Sequence, residues 1–291
     1  MNDLVANPGK NLINIVKRFL DNLIYDECDI NEFALKPKNS EEADNLFIET
    51  FTKYDRVLKT KDISFLIGKI IKSGNLVLFK FIHENYKLFI DIRRERDTAL
   101  QYGSINILEW MIKKYPNGDV YISLKPTCDQ IDFIAANGRI ESLEWLVKNK
   151  IKFSYTEEAV NGAAGNGFIN IIEFFDNLDP EIINTSYIHY IKATQNFLYN
   201  EEAIDMAVAG GHLNVVEWFY NSSHDLLWTN NVITHCIRSG HIDILEWFEK
   251  HKDEYDLEYE SLTSEDFDRI LEYGCKQSSI IWLIKNGKIK V

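Results

Sequence analysis

Gly211-His212-Leu213-Asn214-Val215-Val216-Glu217-Trp218 is the stretch whose reading decides the fold, because it recurs along the chain. Gly103-Ser-Ile-Asn-Ile-Leu-Glu-Trp110, Gly138-Arg-Ile-Glu-Ser-Leu-Glu-Trp145, Gly167-Phe-Ile-Asn-Ile-Ile-Glu-Phe174 and Gly240-His-Ile-Asp-Ile-Leu-Glu-Trp247 are clear copies. Gly74 to Phe81 is a weaker copy and Cys275 to Trp282 a decayed one, and the steps between anchors are 29, 35, 29, 44, 29 and 35 residues. Self-similarity at such a period marks a repeat architecture, in which length counts repeats rather than domains.

With each copy numbered from its glycine as zero, positions +4, +5, +7 and +8 are mostly apolar, and +7 is aromatic in all seven copies. That spacing makes one wide helical stripe. Five of the six tryptophans stand at +7, so they read as core rather than as a cofactor box. Asn106, Asn170, Asn214 and Asp243 at +3 precede Glu109, Glu173, Glu217 and Glu246 by three residues, the spacing of a capping box. The repeated glutamate therefore has a structural reading and is not a row of catalytic carboxylates. Before each glycine lies another helix. Its N-cap candidates at −11 are Thr127, Thr156, Asn200, Thr229 and Ser264, with acidic first turns such as Glu157-Glu158 and Glu201-Glu202. Small residues at −4 and −3, as in Ala163-Ala164, let paired helices approach closely, and the anchor glycine fits a left-handed turn that closes the first helix.

Ala207-Val-Ala-Gly-Gly211-His-Leu-Asn-Val-Val-Glu217 resembles the heart of an ankyrin repeat, over roughly Asp62 to Lys290. The Trp-Phe continuation resembles the divergent ankyrin proteins common in giant viruses of amoebae. The resemblance implies an all-α, ankyrin-type helical-repeat solenoid, with about seven repeats over 62–291 and an N-terminal helical capping region over 1–61. It departs from the family in two ways. The usual Thr-Pro-Leu-His is replaced by Glu202-Ala-Ile-Asp205 and Glu158-Ala-Val-Asn161. Three steps fall short of the usual period of about 33 residues, so short turns are expected where hairpin fingers normally form. Pro116-Asn-Gly-Asp119 is the turn at which one finger is expected to survive.

Outside the repeats, Asn11 to Tyr25 and Ser40 to Tyr54 read as amphipathic helices that cover the apolar end of a repeat stack. Gln277 and Ser279 replace apolar positions, as expected of a terminal repeat facing water. Trp228, just before Thr229, reads as a staple onto Ile233, as Tyr155 and Tyr199 do onto Val160 and Ile204. The long step carries an insertion over about 179–197, which is either a binding loop or a lengthened helix with no role.

The net charge of −13 and the absence of Lys/Arg clusters argue against a nucleic-acid partner. No apolar run reaches the roughly 18 residues that span a bilayer. Four scattered cysteines without a CxxC pair suit a reducing, cytoplasmic compartment, the host cytoplasm if the protein is viral. His235 and His241 are a weak metal pair; Gly162-Ala-Ala-Gly165-Asn-Gly167 follows no strand and is no phosphate loop. No catalytic, cofactor or metal residues are assigned, and the chain reads as a non-enzyme without a cofactor. The expected function is a scaffold that binds another protein, such as a host protein, through the concave face. The residues singled out for that face are Arg93, Gln101, Tyr102, Asn137, Asn166, Asn230, Arg238 and Tyr273. Two rivals stay open: a substrate adaptor of a ubiquitin ligase, and an enzyme with an unrecognised site near 179–197.

Overall fold

Short helices joined by a tight turn need a residue that tolerates positive φ, and the chain supplies glycine at the first six anchors. In the computed structural model, which describes residues 44–45, 48–49, 52, 60–86, 91–115, 124–183, 197–229, 232–255 and 276–288, Gly74, Gly103, Gly138, Gly167, Gly211 and Gly240 all have φ between 66° and 83°. The same pair of turn bonds forms at Gly74, Gly103, Gly138, Gly167 and Gly211, whereas the Gly240 amide donates to the Cys236 carbonyl at 3.0 Å. At Gly211, the His212 amide donates to the Ala207 carbonyl at 2.8 Å and the Gly211 amide to the Val208 carbonyl at 3.2 Å. These bonds satisfy carbonyls that a helix end otherwise leaves open.

The described residues are all-helical: α1 (Thr60–Lys72), α2 (Leu76–Asn85), α3 (Ile92–Gln101), α4 (Ile105–Lys114), α5 (Cys128–Ala136), α6 (Ile140–Lys148), α7 (Glu157–Gly165), α8 (Ile169–Asp176), α9 (Glu202–Gly210), α10 (Leu213–Asn221), α11 (Val232–Ser239), α12 (Ile242–Tyr255) and α13 (Gln277–Lys285). They contain no strand, only an isolated parallel bridge between Phe153 and Ile183. They form two compact units, residues 1–125 with 144–149, and residues 126–143 with 150–291. Pro116–Asp119, Ser264 and the helix expected over Asn11–Tyr25 lie outside the described residues. Of the helix expected over Ser40–Tyr54, only 44–45, 48–49 and 52 are described, all helical.

In the first unit, α1 packs on α2 and α3, and α4 on α2 and α3. The buried Asn75 caps α2 by accepting from the Leu78 amide at 3.0 Å and donates to the buried Asp44 carboxylate at 2.8 Å. That bond ties the segment before the repeats to the first glycine turn.

In the second unit, the first helices α5, α7, α9 and α11 pack in sequence. Contacts Asp132–Thr156, Ala136–Gly162 and Gly138–Phe168 advance together along the chain, so α5 and α7 run parallel. Small side chains allow the approach: a Cβ added to Gly162 would lie 2.7 Å from the Ala136 Cβ. Ala159, Ala163, Ala164, Ala203 and Ala207 are fully buried between these helices.

Two of the expected N-caps are in place: Thr127 makes a full capping box with Gln130, and Thr156 accepts from the Glu158 amide at 3.2 Å. At α9 the N-cap is Glu201, without a side-chain cap bond, and Asn200 one residue earlier accepts from the Glu202 amide at 2.9 Å. The second helices differ from expectation. They begin at +2 rather than after +3, and Ser104, Phe168 and His212 stand at the N-cap without a side-chain cap bond. The glycine turn delivers the chain straight into helix, so +3 is already inside the first turn. Asn106 instead donates to the Gly74 carbonyl at 2.8 Å, joining neighbouring repeats.

Two core assignments also change. Trp145 and Trp247 are buried at 5% and 7% exposure, but Trp110 and Trp218 are only half-buried. Position +7 lies at the edge of the apolar stripe, whereas Phe175, Phe219 and Phe248 at +8 are fully buried. Ser279 does not face water; it is fully buried, because +4 points inward, while Gln277 is exposed. Trp228 does pack internally: its ring meets Phe248 edge-on at 5.5 Å. Tyr155 lies tilted against Phe175 at 4.3 Å and Tyr199 against Phe219 at 5.1 Å, so all three rings pack on the +8 aromatic of the second helix, a partner different from the first-helix residues expected of a staple.

Candidate partner-binding face

A feature that the sequence reading missed holds the first helices in register. At −6, the Asp132 carboxylate accepts from the Thr156 amide at 2.9 Å and from its hydroxyl at 2.7 Å. One repeat on, Asn161 donates from its side-chain amide to the Asn200 side-chain oxygen at 2.8 Å. Next, Asp205 accepts from the Thr229 amide at 3.1 Å and from the Thr229 hydroxyl. Asp132, Asn161 and Asp205 thus bridge α5, α7 and α9 to the −11 residue that precedes the next first helix. Burial pushes the Asp132 carboxyl upward, and its two bonds from Thr156 pull it back without cancelling the shift. The pairing of Asp or Asn at −6 with Thr or Asn at the next −11 was the available signal.

Asp205 is buried, so its loss leaves the Thr229 donors without their acceptor. Asp205→Ala is expected to destabilise the protein by about 1–3 kcal/mol, with Asp205→Asn costing less because one acceptor remains. Urea unfolding followed by circular dichroism measures this. A loss for Asp205→Ala indistinguishable from zero would show that the bridge contributes nothing.

The polar groups at the helix ends are arranged differently. Asn137 and Asn166 are exposed C-caps of α5 and α7, and their side chains turn back to the Phe133 and Gly162 carbonyls at 2.8 and 2.9 Å. Arg238 is exposed in the last turn of α11. In the first unit, Arg93 is exposed at the start of α3, while Gln101 and Tyr102 are half-buried at its end. The Lys72 ammonium sits 4.2 Å above the Tyr102 ring. Asn230 and Tyr273 lie outside the described residues. Asn137 and Asn166 therefore share one edge of the second unit, and Arg93, Gln101 and Tyr102 belong to the first.

Other clusters are structural in character. His224 pairs with Asp176 at 2.7 Å and packs against Phe197 at 4.5 Å, where the chain returns from the insertion. Asp179 caps a short 3-10 turn at Pro180–Ile182; the rest of the insertion up to 196 lies outside the described residues. A cavity of about 590 Å³ lies between α12 and α13, lined by Ile242, Glu246, Ile281 and Trp282 among others. Beside it Glu249 is engaged by Lys252 at 2.9 Å and Lys288 at 3.0 Å, so it is not the open surface residue its position in α12 suggests. Burial works against the charged form, yet the two ammonium groups hold the Glu249 carboxyl below its usual range. Among the described residues no three His, Cys, Asp or Glu side chains gather to hold a metal ion, and no helix is long and apolar enough to cross a membrane. No protein-family model and no curated protein matches the chain.

Proposed function

We propose that this chain is an ankyrin-type repeat protein that binds a partner protein through the face made by its first helices. The observation that carries the reading is the division of labour along those helices. Positions −6 and −11 are occupied with repeat-to-repeat bridges, and −4 and −3 with the core. Residues on the remaining face, such as Arg93 and Arg238, stay exposed and are not required by the core. Tyrosine and arginine are the types that most often carry interface energy. On this reading the repeats stack as a curved solenoid capped by residues 1–61. The partner is a protein rather than a nucleic acid, as the acidic balance favours, and a host protein in the cytoplasm if the viral resemblance holds.

Affinity purification from the natural cellular setting, followed by mass spectrometry, supplies the partner. Arg93→Ala, Tyr102→Ala and Arg238→Ala are then expected to weaken binding and leave the melting temperature nearly unchanged. Lys114→Ala, Lys148→Ala and Glu173→Ala, at exposed positions on second helices, serve as controls. Loss of binding in the controls alone would move the site to the second-helix surface.

A further inference from the structure

The first-helix face of the second unit is ordered in bands. Register −9 holds Asp129, Glu158 and Glu202, all exposed, on three successive helices. Register −5, one turn later on the same helical face, holds Phe133, Gly162 and Met206. Phe133 and Met206 are 37% and 38% exposed, large apolar side chains that the core leaves at the surface. Between them the register has no side chain, because Gly162 must accommodate Ala136. Register −2 continues the face with Ala136, Gly165 and Ala209, which keep it low, and Met206 packs against Gly165.

The stretch that carries this face is strongly acidic. From Asp129 to Ile237 the sequence holds fifteen carboxylates and five Lys or Arg residues, and four of those five, Arg139, Lys148, Lys150 and Lys152, stand in or beside α6 rather than on the first helices. Burial, and then the neighbouring charges of Glu202, Glu157 and Asp132, push the Glu158 carboxyl upward. Like charges in one register on helices roughly 8–10 Å apart repel, and a cationic partner relieves that repulsion.

We infer that this face docks a basic protein segment, one whose apolar side chain packs on the exposed Phe133 and Met206 side chains while its flanking Lys or Arg side chains meet Asp129, Glu158 and Glu202. The inference rests on the reading that the first-helix face binds protein and names the chemistry of the partner. An acidic or neutral segment gains nothing from the carboxylate band, and a purely cationic one leaves Phe133 and Met206 uncovered.

The test is selection of a displayed random-peptide library on the full chain, with binding of the recovered peptides measured by fluorescence anisotropy. The expected peptides are net positive with an apolar residue flanked by Lys or Arg, and they bind more weakly as salt rises. Glu158→Lys combined with Glu202→Lys is expected to weaken binding roughly tenfold or more, and Met206→Ala by a smaller factor. Circular dichroism verifies that the variants fold, and the milder Glu158→Gln with Glu202→Gln replaces the reversal if it does not. Cationic peptides that bind the charge-reversed protein as well as the parent overturn the inference. Recovered peptides without positive charge overturn it too, yet leave protein binding standing. A library that yields no binder counts against both readings.

Discussion

Phe219→Ala is expected to cost about 3–5 kcal/mol of stability, the range for truncating a large buried aromatic. The ring is fully buried. It meets Trp218 edge-on at 5.0 Å, Tyr199 at 5.1 Å and Phe197 at 6.3 Å. Removing it opens a void that three other rings cannot fill without leaving their own positions, so the cavity penalty adds to the lost transfer energy. The neighbouring Trp218→Ala is expected to cost only about 1–2 kcal/mol, although tryptophan is the larger residue, because its indole is half-buried. It also lies parallel to the His224 ring at 6.0 Å, so that histidine can follow the vacated space. Urea unfolding monitored by far-ultraviolet circular dichroism avoids the change in tryptophan emission. A larger loss for Trp218→Ala than for Phe219→Ala would reverse the burial order of +7 and +8.

That order shows where reading residues alone stops. Apolar periodicity identifies a stripe, and the recurring glycine identifies where it starts, so helix existence and the left-handed turns are legible from the chain. The depth of each position within the stripe is not, because it depends on how the second helix leans on the first. Trp218 and Ser279 are the two faces of that limit. Trp218, whose register is aromatic in every copy, is only half-buried, while the polar Ser279 is fully buried. The +3 asparagines fail for a related reason. Capping-box spacing is a local pattern, but whether +3 precedes the helix depends on how tightly the glycine turn closes, and here the helix has already begun at +2.

The candidate face was legible in outline and not in detail. Positions left over from the core are readable as surface, which places Arg93 and Arg238 correctly outside it. What the side chains of Asn137 and Asn166 do there is a matter of helix-end geometry, and both turn back onto carbonyls four residues earlier. The bridge from −6 to −11 escaped because its two halves lie 24 residues apart in sequence in the Asp132 and Asp205 copies and 39 apart in the Asn161 copy. A pattern with a variable gap becomes visible only once the helices are laid side by side.

Gly211→Ala is the second large loss expected, at about 2–4 kcal/mol, and two separate costs make it up. The backbone at φ 81° places any L side chain in the left-handed region, a cost of about 1–2 kcal/mol. In addition, the new Cβ would stand 2.4 Å from the His241 ring, which leans over this turn from the next repeat. The same +1 residue leans on the preceding glycine at Gly138, where Phe168 would be 2.9 Å away, and at Gly167, where His212 would be 2.5 Å away. Gly138, Gly167, Gly211 and Gly240 thus answer to a turn and to a close neighbour, whereas at Gly74 the nearest atom, the Ser104 hydroxyl oxygen, would stand at an unstrained 3.7 Å. Gly287 separates the two costs: its φ is 67°, but nothing lies within 4 Å of the added carbon. Gly287→Ala is therefore expected to show the backbone cost alone, about 1–2 kcal/mol. A double-mutant cycle supplies the remainder. In a His241→Ala background, Gly211→Ala is expected to cost at least about 1 kcal/mol less than in the parent. A coupling of zero would mean that the glycine serves its own turn only and that His241 moves aside freely. A coupling of the expected size makes the stacking of one repeat on the next a reason for the recurring glycine in its own right.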